Sequence, residues 1–233
     1  MGTYFDFGYL VKSFPILLSY VHMTIWITVI STMIGIFIGC GVALIRMNKV
    51  KIIDSFCAIY ISFMRGTPFL VQLFLIYFGL PEIMQKLGWQ AARDIPALFY
   101  VCIVFSLHVG AYGAEIMRSA IGAVPKGQLE AAYSIGMTSF AAYTRIVLPQ
   151  AFTLAIAPLG NTVISTLKAT SLVFNVGVVD MMRKADLMGA YSQRSLELYI
   201  DVAIIYIVLV FIVSKIAAML ENYTNRAARA VKG

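Results

Sequence analysis

The residues of this chain that could do chemistry are few, and most stand inside long apolar runs. His108, Tyr112 and Glu115 are spaced i, i+4 and i+7, which puts them on one face of a helix. Arg118 follows Glu115 by three residues, close enough for an ion pair along that face. Arg65 stands before Gly66-Thr67-Pro68, with Gln72 four residues beyond the proline. Pro68 removes a backbone donor and disfavours helical geometry at Thr67, so a helix breaks there. Lys168 stands alone at the end of another apolar run. An ionisable side chain near the centre of a bilayer costs about 2.5–3.5 kcal/mol, so such groups face a bundle interior or a water path. Broken helices need the same shelter, and in transporters they hold polar solutes.

On this reading Arg65, Thr67, Gln72, Tyr112, Glu115 and Lys168 border a polar path. Thr67, Gln72 and Glu115 would supply donors and acceptors, and Arg65 or Lys168 would attract a carboxylate. A plainer reading stands beside each. Glu115 and Arg118 can be a pair that holds one span, His108 a hydrogen-bonded core residue, the break a packing kink, and Lys168 a side chain that reaches the headgroups. Bond-making chemistry is not indicated. The sequence has no Gly-x-x-x-x-Gly-Lys-Ser/Thr phosphate loop, which excludes an ATPase of its own. No His/Cys cluster has metal-ligand spacing, and no Ser, His and Asp are set for hydrolysis. We expect no catalytic residue, no metal and no cofactor on this chain.

The elements that must position these residues are membrane spans. Of 233 residues, 61% are hydrophobic and only 12% charged, where a soluble domain carries about a quarter. A span needs about 20 apolar residues, and the apolar runs predict five: 15–45, 53–79, 96–117, 150–167 and 198–220. The expected fold is an all-α integral membrane protein with a single domain over the whole chain. Pro15 suits a helix start, and the length of the first run implies tilt or projection into water. That run is far longer than a signal-peptide core, so it is expected to stay as the first span. The second is interrupted at Arg65–Pro68, and the fourth contains Pro158 and Gly160. Ser171–Val179 is apolar but too short to cross, which predicts a re-entrant or interfacial piece. Cys40, Cys57 and Cys102 are far apart in apolar runs and read as small hydrophobes.

Charge sets the orientation. The net charge of +7 would suggest nucleic acid in a soluble protein; here it reflects basic loops on the cytoplasmic side, and no nucleic-acid partner is expected. One set of loops carries Arg46, Lys49, Lys51, Arg118, Lys126, Arg145, Arg226, Arg229 and Lys232, close to the span ends. The other carries Lys12, Lys86, Arg93, Lys168, Arg183, Lys184 and Arg194, diluted by Asp180, Asp186 and Glu197. The first set is therefore cytoplasmic, which predicts the amino terminus outside, the carboxyl terminus inside, and the polar loop 118–149 in the cytoplasm.

Within that loop, Glu130-Ala131-Ala132 is followed by three residues, Gly136, nine residues, Ile146, one residue, and Leu148-Pro149. Gln128–Met137 is a helix-capable run whose alanines permit close approach to a partner. Gly136 can end it in a left-handed conformation, and Pro149 fits the first turn of the fourth span. An ordinary helical hairpin would also suit these residues. The complete spacing, however, resembles the EAA loop of MetI-like ABC-transporter permeases at every defined position. Arg65-Gly66-Thr67-Pro68, Ala111–Arg118, Pro125–Glu130 and Asn161 with Lys168–Leu172 are similar to segments of the polar amino-acid permeases. The whole chain looks closest to cystine-type permeases of Gram-positive bacteria.

The resemblance implies a five-helix type I importer core in the bacterial cell membrane, acting as a dimer with an identical or homologous permease. It implies two separate ATPase subunits, carrying ATP and Mg, docked on the region of Gln128, Glu130, Ala131, Ala132, Gly136, Leu148 and Pro149. It further implies an extracellular binding protein and a polar L-amino acid moved by alternating access. A secondary transporter or channel, or a membrane assembly or sensor protein, remains the alternative. The former typically shows paired halves, and no internal repeat is visible.

Overall fold

A computed structural model of the chain describes residues 5–49 and 51–230. Lys232, used in the charge count, lies outside the described residues, as do the side chains of Arg93, Arg226 and Arg229. Every regular element among the described residues is helical. The chain opens with α1 (Phe7–Leu18) and α2 (Val21–Met47), then α3 (Ile53–Gly66) and α4 (Phe69–Phe74). A π turn over Leu75–Gly79 runs into α5 (Leu80–Lys86), and a 3-10 turn over Gln90–Asp94 precedes α6 (Ala97–Gly122). Next come α7 (Lys126–Ser134) and α8 (Ser139–Ala142), which a second π turn, Tyr143–Val147, joins to α9 (Leu148–Ala169). A 3-10 stretch, Thr170–Val176, leads to α10 (Met181–Ser192) and α11 (Ser195–Ala230).

Among the described residues, four helical runs are long and apolar enough to cross a membrane: Phe7–Met47, Ala97–Gly122, Ser139–Val176 and Ser195–Asn225. The second expected span exists only as a bent pair, Ile53–Gly66 with Phe69–Lys86, whose axes turn through 118°. The first expected span is two helices that part at Ser19 and Tyr20. Pro15 lies inside α1 and does not start it. The true start is capped by Asp6, whose carboxylate accepts from the backbone N–H of Tyr9 at 3.0 Å. Residues 171–179, read as a re-entrant or interfacial piece, are anchored in the protein by three valines. Val173, Val176 and Val178 are buried with Ile27, Leu73, Val104 and Phe105 in the largest core.

The central contact is α2 against α6, and small residues make it. Ser31, Gly35, Gly39 and Ala43 recur every fourth residue on the buried face of α2. A Cβ on Gly35 would lie 2.5 Å from the Cβ of Val109, and one on Gly110 would lie 2.7 Å from Cγ2 of Ile38. Between helices in lipid the hydrophobic effect gives no drive, so backbone approach and dispersion hold them together. The outward faces are apolar: Trp26, Met33 and Phe37 of α2 and Ile207, Phe211 and Met219 of α11 are exposed. A patch of that size on a soluble protein would be an aggregation liability; against acyl chains it is at home.

Both π turns are followed directly by a Leu-Pro pair, Leu80-Pro81 and Leu148-Pro149. A proline ring within a helix clashes with the carbonyl four residues before it, and the wider turn moves that carbonyl away. The Leu148 N–H accordingly bonds to the Tyr143 carbonyl, five residues back. Pro149 stands in the first turn of α9, as the sequence suggested, and the π turn carries the helical run back to Ser139.

Candidate functional site

The break between α3 and α4 is built from the residues expected there. Thr67 is extended, with φ −116° and ψ 149°, as a residue before proline should be. The bend leaves the carbonyls of Met64 and Thr67 without helical donors, and Gln72 supplies the replacement. Its Nε2 donates to the Met64 carbonyl at 2.8 Å and lies 2.9 Å from the Thr67 carbonyl and hydroxyl. Because carbonyls only accept, the amide's NH2 must face them, and its Oε1 must face His108. The Nδ1 of His108 stands 2.9 Å from that oxygen and therefore carries the proton. Gln72 is 1% exposed. It holds the break together and ties it to α6, and it lines neither of the two cavities described below.

The α6 face predicted from spacing is present. The rings of His108 and Tyr112 are 4.8 Å apart, and the Arg65 guanidinium lies over the Tyr112 ring, 5.6 Å from its centre. Glu115 is doubly bonded to Arg118, whose Nε donates at 3.0 Å while Nη2 meets the other oxygen. The ion pair and the cavity lining, set out as rival readings, are both realised. Arg65, Tyr112 and Glu115 line a cavity of about 430 Å³ with Leu154 and Pro158 of α9. A second cavity, about 340 Å³, lies between Phe105, His108 and Tyr112 of α6 and Asn161, Thr162 and Ser165 of α9. Lys168 is exposed at the end of α9 and lines neither. The α9 contribution was missed as a lining. Its signal was a polar stripe at Asn161, Thr162 and Ser165 within an apolar run.

At the far end of α6, α7 presents a different surface. Gln128, Glu130 and Ala131 are exposed, while Ala132 is 1% exposed and packs inward. Neighbouring helical residues point about 100° apart, so the two alanines cannot share one outward contact. Gly136 has φ +81°, and its N–H bonds to the Tyr133 carbonyl while that of Met137 bonds to the Ala132 carbonyl. This is a Schellman stop, and it confirms the left-handed helix end read from the glycine. Beneath α7, Ala120, Val124, Val147, Ala151 and Ala155 form a core that seats the loop on α6 and α9. Ile135 and Phe140 remain largely exposed beside it, and Leu148 and Pro149 are exposed on the way into α9.

With this geometry in place, comparison with known proteins is decisive. Residues 31–225 match the model of the family described as binding-protein-dependent transport system inner membrane component. The chain belongs to this family. The permease is 40% identical to the L-cystine transport system permease protein TcyL of Bacillus subtilis over 207 residues, 88% of this chain and 86% of that one. It is also 40% identical to TcyB, the L-cystine transport system permease protein of the same organism, over 97% of this chain and 94% of the relative. A solved amino acid ABC transporter with histidines matches it with a TM-score of 0.85 at 37% identity, covering 95% of this chain and 100% of that one. The permease is therefore a multi-pass component of a bacterial cytoplasmic membrane. It is not itself an enzyme, and ATP hydrolysis in such systems belongs to a separate subunit. Permeases of this family work in general with an ATPase and a substrate-binding protein.

Proposed function

We propose that this permease carries a polar L-amino acid into the cell, with L-cystine the first candidate. The observation that carries the reading is its 40% identity to a cystine permease over 97% of this chain and 94% of the relative. In this reading two copies of the permease, or one with a homologue, enclose the path. The amino terminus faces outside, and α7 stands in the cytoplasm. Two ATPase subunits dock on the exposed Gln128, Glu130 and Ala131, next to the apolar Ile135 and Phe140. An external binding protein delivers substrate from the other side. ATP binding draws the ATPases together and moves α7, and the rigid seat of α7 on α6 and α9 turns the cavity outward. Hydrolysis returns it. Among the candidate path residues, Arg65, Tyr112 and Glu115 line the route, Thr67 and Gln72 hold its shape, and Lys168 acts at its outer mouth.

The test is reconstitution of the permease with its ATPase and binding protein in vesicles loaded with ATP. Uptake of labelled cystine should exceed that of arginine, histidine and glutamine. Equal or absent uptake of cystine beside strong uptake of another amino acid would reassign the substrate. No ATP-dependent uptake of any would remove the importer reading.

A further inference from the structure

The groove between α6 and α9 holds its two cavities in series. One touches Phe105 and His108 on α6 and Ser165 on α9; the other touches Ser119 on α6 and Leu154 on α9. Residue numbers rise on α6 as they fall on α9, so the cavities follow one another along the groove. Tyr112 is the one residue that both linings contain. Its ring is clamped by groups that report on a different element from its own. The Arg65 guanidinium over its face belongs to the last turn of α3, directly before the 118° break. His108, packed on the ring from the next turn of α6, is hydrogen-bonded to Gln72, which closes the same break.

We propose that Tyr112 is the gate of the path: its ring separates the two cavities, and movement of the α3–α4 break, carrying Arg65, releases it. The inference rests on the importer reading for the direction of flow, while the partition itself stands on the groove. A small polar solute in the cavity beside Asn161 and Ser165 meets the ring before it can reach the wall that carries Glu115. Withdrawing Arg65 removes the cation from the ring face, frees the tyrosine to turn, and exposes a guanidinium on the wall the solute then enters. The bent pair supplies the motion because its two arms can change their mutual angle without unfolding either.

The test reads access, not transport. In a background without Cys40, Cys57 and Cys102, single cysteines replace Ser119 in one cavity and Ser165 in the other. The permease is held in vesicles with its ATPase, and an impermeant maleimide is added from the α7 side. Tyr112→Ala should raise the labelling rate at position 165 relative to 119 by about tenfold, the worth of a partly shielded cation–π contact and the ring it holds. Tyr112→Phe keeps the ring and its cation, so the ratio should stay at the wild-type value. Arg65→Gln should raise it, and because Arg65 is exposed this variant carries the test if Tyr112→Ala fails to assemble. An unchanged ratio in both Tyr112→Ala and Arg65→Gln, or a Phe variant as open as the Ala one, would overturn the gate. Wild-type vesicles that take up no amino acid would sink the importer reading alone and leave the ratio to be judged on its own.

Discussion

Gln72 illustrates how a single amide is committed by what surrounds it. A bend of the backbone in an apolar medium leaves carbonyls that must find a donor, and each one left unpaired costs about 1–3 kcal/mol. Gln72 meets two such carbonyls and an imidazole at once. Gln72→Leu keeps the volume and removes all three bonds. We expect the purified permease to lose several degrees in its thermal transition, with transport falling as a consequence. A Leu variant with the parental transition would mean that the break is held by other contacts. From the sequence alone this glutamine read as a lining residue, because its partners are backbone carbonyls and carry no side-chain signature. The α9 stripe was overlooked for a related reason. Thr162 and Thr166 bond back to the carbonyls of Pro158 and Thr162, the habit of hydroxyls in any apolar helix.

At the scale of elements, two surfaces are exacting. Where α2 meets α6, Gly35→Ala places a methyl 2.5 Å from Val109, whereas Gly41→Ala on the same helix meets nothing within 4 Å. Gly41→Ala should be neutral or stabilising by up to about 1 kcal/mol through helix propensity. Gly35→Ala should sharply reduce the yield of folded protein in detergent, and equal yields for the two variants would contradict the close packing. On α7, Glu130→Lys changes an exposed side chain and should leave folding intact while co-purification of the ATPase falls. Gly136→Val forces a β-branched residue to φ +81° and should lose both the helix stop and ATP-dependent uptake. Full uptake in both would remove α7 from the coupling role. The apolar runs were enough to locate α6, α9 and α11. They could not show that α1 and α2 part at Ser19 and Tyr20, since neither residue is a breaker and the proline nearby sits inside α1.

The whole molecule carries its evidence for orientation in its charges. Leu87 is 83% exposed near the end of α5, and Gly127 lies open on α7, at the opposite ends of α6 by connectivity. In intact cells an impermeant thiol reagent should label Leu87→Cys and spare Gly127→Cys. The reverse pattern would invert the permease and place α7 out of reach of any ATPase. Five spans were readable as five apolar runs, and four of them fall, among the described residues, in helical runs long and apolar enough to cross. The remaining one is bent through 118° because Thr67 and Pro68 cannot continue α3. A hydropathy count sees how much apolar chain there is, but the direction in which it travels depends on two backbone dihedral angles per residue.

Measured in angle, the wide turns before Leu80-Pro81 and Leu148-Pro149 are phase correctors. Each residue of an α-helix advances about 100° around the axis, and a π turn holds one residue more than the turn it replaces. The extra residue is absorbed locally, so α9 keeps the rotational setting it would have with a chain one residue shorter. Deletions at the two kinds of place should therefore differ. In a Pro149→Ala background, removing Thr144 lets the wide turn close into an ordinary one, and Ser165 stays in the groove. Removing Thr153 instead swings the rest of α9 by about 100° and turns Ser165 toward lipid. A cysteine at position 165 should keep its reactivity toward a water-borne thiol reagent in the first deletion and lose it in the second. Once its proline is replaced, a wide turn is thus a place where a residue can be lost without rotating the helix that follows.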